Sequence, residues 1–250
     1  MNEALIDPLF RGFAIFCRLG SCLMLMPGFS SPRIPVFIRL FMCMSLSLAL
    51  FMRLSPLLGS VVAGKSDELR YGLLFSECAI GGLIGVTARF FFMGLEMAFV
   101  LAANAIGMAN AFTAQITEEG TVAALATLAT LTVTLLFFAT NQHLDVIRAL
   151  VQSYDALPPL NGFMSRPALM QVVDTLSSSS LLALRVGAPF FAYGVLINLI
   201  SGLLNKLVPN IPVYFILTPL VVALGLILVY FTIAQSLDLF IVGFSAWLRG

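Results

Sequence analysis

Charge is what this sequence has least of. Only 10% of its 250 residues are Asp, Glu, Lys or Arg, while 60% are hydrophobic and the mean hydropathy is +1.04. A typical soluble domain carries about 25% charged residues. This scarcity excludes a soluble fold of this size, whose surface needs charge to stay in water. A net charge of +1 argues against general electrostatic binding of nucleic acid, and no polybasic run is present to hold lipid headgroups. Histidine occurs once, as His143 in T-N-Q-H-L-D, where it reads as a cap or interface contact. Asp145 follows it with no activated nucleophile beside them. No Ser/His/Asp set, H-E-x-x-H or glycine-rich phosphate loop can be assembled, so no catalytic, cofactor-binding or metal-ligating residue is expected. The four cysteines, Cys17, Cys22, Cys43 and Cys78, lie in apolar segments without a C-x-x-C or a neighbouring His. They read as small hydrophobes. A positive signal-peptide start is missing too: Glu3 and Asp7 stand there, no A-x-A-like site follows, and the first helix is expected to be retained.

What is present is a series of long apolar stretches: Leu9–Met26, Val36 to about Leu54 (ending before Pro56), Tyr71–Ala103, Thr121–Thr140, Leu181–Leu204 and Val213–Leu237. They are too long and continuous for β-barrel alternation. The expectation is an all-α integral membrane protein of about six apolar helices in one domain, residues 1–250, in contact with membrane lipid. Asn141–Asp174 is its most polar part. Trp247 and Arg249 suit interface anchoring, and 22 Phe suit deep packing. Met24, Met26, Met42, Met44, Met93 and Met97 read as soft core filler. Pro209, Pro212 and Pro219 each remove a backbone donor and are expected to bend or break a helix.

Charges recur inside the apolar stretches: Arg11, Arg18, Arg39, Arg53, Glu77, Arg89, Glu96 and Arg185. Arginine at mid-bilayer costs roughly 2.5–3.5 kcal/mol on insertion scales, so these side chains should pair, line water or face protein. Arg11 and Arg18 share a helix face, and Asp7 precedes Arg11 by one turn, a favourable order for pairing. At about 100° per residue, Glu77, Gly81, Gly85, Arg89 and Glu96 fall within about a third of one helix circumference. Glycines spaced as Gly81-x-x-x-Gly85 admit another backbone. The stripe reads as a packing face, and a proton relay through Glu77, Arg89 and Glu96 is the competing reading.

Several pieces, in order, resemble one family. These are R-L-G-S-C-L-M-L-M-P-G-F-S-S-P-R-I-P-V-F-I-R (18–39), Glu77 with I-G-G-L-I-G-V-T-A-R (80–89), and G-M-A-N-A-F (107–112). F-F-A-T-N-Q-H-L (137–144) follows, then Ser153, Tyr154 and Leu157–Pro158, Ala188–Pro189, and N-L-I-S-G-L-L-N-K-L-V-P-N (198–210). Together they resemble the FliR family of flagellar type III export-gate subunits. Departures are T-A-Q-I-T-E-E-G (113–120), which lacks the family's usual Asp-Pro, and Pro212. The resemblance implies a subunit assembled with FliP and FliQ, near FlhB and FlhA, in the inner membrane at the flagellar basal body. Its helices would form hairpins lifted largely out of the bilayer plane, in a channel for unfolded flagellar subunits. It also implies a plug in the glycine-bounded small-residue segment Gly107, Met108, Ala109, Asn110, Phe112, Gln115, Glu118, Glu119 and Gly120. The alternatives are the injectisome counterpart, which shares the fold, and a small-molecule or ion transporter. Inverted internal symmetry, which would favour a transporter, is not seen in the sequence.

Overall fold

The structure is a computed structural model that describes residues 3–31, 34–62, 67–107, 120–157, 166–208 and 213–249. Seven helices make up nearly all of these residues: α1 (Glu3–Leu25), α2 (Val36–Val62), α3 (Asp67–Ala105), α4 (Gly120–Ala139), α5 (Gln142–Ala156), α6 (Arg166–Leu207) and α7 (Val213–Arg249). Five of them, all but α4 and α5, are long and apolar enough to cross a membrane. The all-helical, membrane-type architecture expected from the sequence is therefore present.

Three boundaries differ from the sequence reading. The second apolar stretch does not stop before Pro56; α2 runs through it to Val62. The most polar part, Asn141–Asp174, which is not among the apolar helices expected from the sequence, holds α5 and the start of α6. In α5 the buried residues Val146, Leu150, Ser153 and Tyr154 follow the helical period while Leu144, Arg148 and Asp155 stay exposed. Pro219 lies inside α7, which continues unbroken from Val213 to Arg249. Pro8 and Pro189 are likewise within helices. An apolar helix loses one backbone bond at proline yet continues where its neighbours or side chains re-satisfy the freed carbonyls. α6 ends at Leu207 and α7 begins at Val213; Pro209 and Pro212 lie outside the described residues.

The contacts group into two compact units interleaved in sequence. One comprises residues 1–90, 140–176 and 247–250, the other residues 91–139 and 177–246. In the first unit α1 and α2 form an antiparallel hairpin, with Gly12 beside Phe51 and the Arg11 guanidinium beside Gly59. Arg39 closes the connection by donating from Nε and Nη2 to the Ile34 carbonyl at 3.1 and 2.9 Å. At the far end of this unit the indole N–H of Trp247 donates to Thr175 Oγ1 at 2.8 Å.

In the second unit, α3 and α6 run parallel and α7 returns antiparallel to both. Gly94 abuts the Ser179 carbonyl, Gly194 abuts Ala105, and Gly225 abuts Ile106. Its core is aromatic at one end, where Phe92 meets Phe240, Phe244 and Phe137 edge-on with centroids 5.0, 5.8 and 6.2 Å apart. Toward the other end Ala102, Ile106, Phe190 and Val229 pack together. The deep phenylalanine packing is as expected. The methionines differ: Met26 is buried, but Met42, Met44, Met93 and Met97 are exposed on the chain.

Candidate functional site

The site begins with two glycines. On α3, Gly81 and Gly85 face α1 so closely that a methyl group at Gly81 would overlap the Arg18 carbonyl and the Ser21 hydroxyl. One at Gly85 would sit 2.8 Å from the Cys22 carbonyl. The small-residue spacing therefore lets the backbones of α1 and α3 meet. The contacts advance together along both helices, from Asp7 with Arg70, through Cys17 with Cys78, to Cys22 with Gly85, so α1 and α3 lie parallel.

This approach places Arg18 against Glu77. The pair is bidentate, with Nε to Oε2 at 2.6 Å and Nη2 to Oε1 at 3.0 Å, and both side chains are fully buried. α5 completes the shell. Arg18 Nη1 donates to Ser153 Oγ at 3.2 Å and Nη2 to the Leu157 carbonyl at 3.1 Å. The guanidinium carbon lies 3.8 Å from the centre of the Tyr154 ring, a cation–π contact. Burial and the Glu77 carboxylate push the Tyr154 hydroxyl far above its ordinary range, so it stays neutral. Ser153 Oγ in turn donates to the Leu150 carbonyl at 2.7 Å. A buried ion pair is tolerated when further hydrogen bonds occupy its remaining donors, and this one has them. A cavity of about 190 Å³ borders Ser153 and Leu157 and reaches Cys22, Thr87 and Trp247.

The sequence-derived stripe divides here. Glu77, Gly81 and Gly85 are buried and packed against α1, whereas Arg89 and Glu96 are exposed on the chain. The reason is the length of the partner: α1 ends at Leu25, abreast of Gly85, so residues farther along α3 have no α1 beside them. A relay through Glu77, Arg89 and Glu96 has no geometry to support it. The Asp7–Arg11 pairing is also corrected. Asp7 accepts from Arg70 at 2.9 Å, because the parallel register of α1 and α3 brings those two ends together. Arg11 Nε is left without a hydrogen bond among the described residues.

Of the plug segment, Met108 to Glu119 lie outside the described residues. Gly107 is described: it ends α3 with φ 76° and donates to the Asn104 carbonyl at 3.1 Å, a left-handed stop that glycine adopts without strain. Gly120 opens α4. Sequence reasoning missed Ser153, Tyr154 and Leu157 as partners of Arg18. Ser153 and Tyr154 lie in the last turn of α5, and Leu157, just past its end, contributes a backbone carbonyl, which no side-chain pattern could have signalled. Among the described residues no cluster of His, Cys, Asp or Glu could hold a metal ion, and the four cysteines are unpaired thiols, of which Cys78 is exposed.

Residues 9–246 match the family described as bacterial export proteins, family 1. The flagellar biosynthetic protein FliR of Caulobacter vibrioides is 30% identical over 214 residues, 85% of this chain and 84% of that protein. FliR of Aquifex aeolicus is 26% identical over 85% of this chain and 81% of the relative, and FliR of Escherichia coli 25% identical over 62% and 59%. Glu77 with its two glycines, and the Arg18 they admit, fall inside the matched span, and the chain belongs to family 1 of the bacterial export proteins, the family of the FliR proteins.

Proposed function

We propose that the chain is a non-enzymatic subunit of the flagellar protein export gate. In this reading it assembles in the bacterial inner membrane, at the basal body, with FliP and FliQ and next to FlhB and FlhA. The assembly forms the channel through which unfolded flagellar subunits leave the cytoplasm. Family membership across residues 9–246 carries the reading. The surface of the chain supports it. Arg53, Arg89, Glu96, Arg185 and Asp238 are exposed on apolar helices that also expose large side chains such as Phe37, Phe75 and Phe191. Exposed charge on a membrane-length helix needs protein, water or headgroups around it, and an apolar surface this extensive marks a contact region.

Within the gate, the segment from Gly107 to Gly120 is the plug, held shut at rest and displaced by substrate. Its glycines, small side chains and amides are costly in hydrocarbon unless they line water or pack in protein. Glu77, Gly81 and Gly85 set the internal packing that holds the subunit in shape, while Arg89 and Glu96 face neighbouring subunits. The interruption at Pro209 and Pro212 sets the turn between α6 and α7.

Two measurements test this. Expressed alone, the chain should be unstable in detergent, and co-expression with FliP and FliQ should yield a complex that purifies intact. A chain that purifies alone as a stable monomer would favour a transporter. Deleting Ala109–Gln115 should leave the complex assembled but make the membrane leak ions. An assembled deletion complex with no added leak removes the segment from the gate.

A further inference from the structure

The seam between α1 and α3 carries a second pair of side chains besides the clasp. Cys17 precedes Arg18 and Cys78 follows Glu77, so each partner of the ion pair has a cysteine next to it in sequence. The close approach at Gly81 and Gly85 brings these two together as well. Cys78 Sγ lies 4.0 Å from the Cys17 carbonyl oxygen, and the two thiols are hydrogen-bonding neighbours. Cys17 is partly buried and Cys78 exposed, whereas Arg18 and Glu77 are fully buried. The thiols therefore lie on the open side of the seam and the clasp on its closed side.

The other two cysteines set the comparison. Cys22 on α1 has Cys43 of α2 nearby, but both are buried, at 0% and 1% exposure, so an oxidant in solution does not reach them. Thiol–disulfide exchange needs an accessible thiolate and a second thiol within reach of the mixed disulfide. Of the four cysteines, Cys17 and Cys78 meet both requirements.

We propose that Cys17 and Cys78 are an oxidisable dithiol, which a disulfide-bearing oxidant closes into an intramolecular disulfide that staples α1 to α3. The exposed Cys78 thiol loses its proton to water, and its sulfur attacks one sulfur of the oxidant, releasing the other as a thiol. The Cys17 sulfur, deprotonated in turn, attacks Cys78 in this mixed disulfide and expels the second thiol. The two protein thiols give up two electrons and two protons, and the oxidant's disulfide takes up the same number as it becomes two thiols. A reducing thiol reverses both steps. The bond closes a loop between positions 61 apart in sequence, and a long loop is where a cross-link restricts the unfolded chain most. Its place beside the clasp means that it holds the α1–α3 register even where the ion pair is broken. The inference concerns one chain and does not rest on what the assembly exports.

The test uses membranes from cells making the full chain with its export partners, and from cells making it alone. The oxidant is dithiodipyridine, an uncharged disulfide, and the product is read by mass spectrometry of the intact chain and its peptides. With Cys22→Ala and Cys43→Ala in place, the chain should end lighter by two hydrogens and hold no pyridylthio adduct. Its digest should contain one cross-linked peptide pair carrying Cys17 and Cys78. A further Cys17→Ser change should leave a stable adduct on Cys78, because the second step has lost its thiol. Peptide mapping of the chain with all four cysteines gives the same answer should a variant fail to accumulate. Closure should also raise the unfolding temperature of the solubilised complex by several degrees, and a reductant should return it. Separate adducts on Cys17 and Cys78, or two unmodified thiols in both membrane samples, would overturn the proposal. A disulfide that leaves the unfolding temperature unchanged would overturn it too, because such a bond staples nothing.

Discussion

Arg18 and Glu77, separated by 59 positions in sequence, clasp each other through two hydrogen bonds where no water reaches either side chain. The clasp joins α1 to α3, and Ser153 with Leu157 ties α5 to the same guanidinium. It is the fully buried polar centre of the first unit, whose other polar ties, such as Arg70 with Asp7, are only partly buried.

Removing one partner should cost far more than the pair itself contributes, because the survivor is left as a buried, uncompensated charge. Glu77→Ala and Arg18→Ala should each destabilise the fold by about 3–5 kcal/mol, read as loss of full-length protein from membranes and of thermal stability in the purified complex. Exchanging the two residues should rescue only in part, since a carboxylate at position 18 would face the Leu157 carbonyl. Wild-type accumulation of Glu77→Ala would show that the clasp is not needed.

The glycines of α3 offer a sharper contrast. Gly81→Ala should disrupt packing, because its methyl group would overlap the Arg18 backbone, while Gly82→Ala, whose nearest neighbour is a Leu25 methyl at 3.7 Å, should be neutral or slightly stabilising. Gly85→Leu should resemble Gly81→Ala and reduce assembly and motility. Equal stability of Gly81→Ala and Gly82→Ala would contradict the described contact of α1 with α3.

Tyr193→Phe removes one short hydrogen bond and little volume. The Val221 carbonyl it serves lies on α7, so the bond ties α6 to α7. A loss of about 1 kcal/mol is expected, seen as a lower unfolding temperature with assembly retained. No shift would show that the Val221 carbonyl is satisfied without Tyr193.

Asn141 joins α4 to α5 with φ 59°. Asparagine and glycine accept this conformation and β-branched residues resist it. Asn141→Gly should be close to neutral, and Asn141→Val should cost about 1–3 kcal/mol. A stable Asn141→Val variant would mean that the turn has another backbone shape.

The apolar helices were legible because their solvent is apolar and their lengths follow from it. The shared face of Glu77, Gly81 and Gly85 was legible because helical periodicity is local. The partner of that face was not. Asp7 could be matched to Arg11 from spacing alone, yet it pairs with Arg70, because the choice depends on the parallel register of α1 and α3. Arg89 and Glu96 continue the same angular stripe, but where α1 stops is a property of α1, invisible from α3. Pro56 and Pro219 punctuate a sequence read residue by residue, while packed apolar helices carry their chain past them. The plug residues between Gly107 and Gly120 remain a reading of composition and resemblance.

The clasp also has a temporal side. During synthesis at about 5–20 residues per second, Arg18 emerges roughly 3–12 s before Glu77 exists, and Ser153 comes later still. Through that interval a full positive charge sits in a nascent apolar helix with nothing to neutralise it. The first helix therefore has to be kept from settling in lipid until the third arrives, by the insertion machinery or by staying near the membrane surface. A misplaced or delayed α3 would leave α1 a target for membrane quality control, so the order in which the helices appear is itself part of how this subunit reaches its fold.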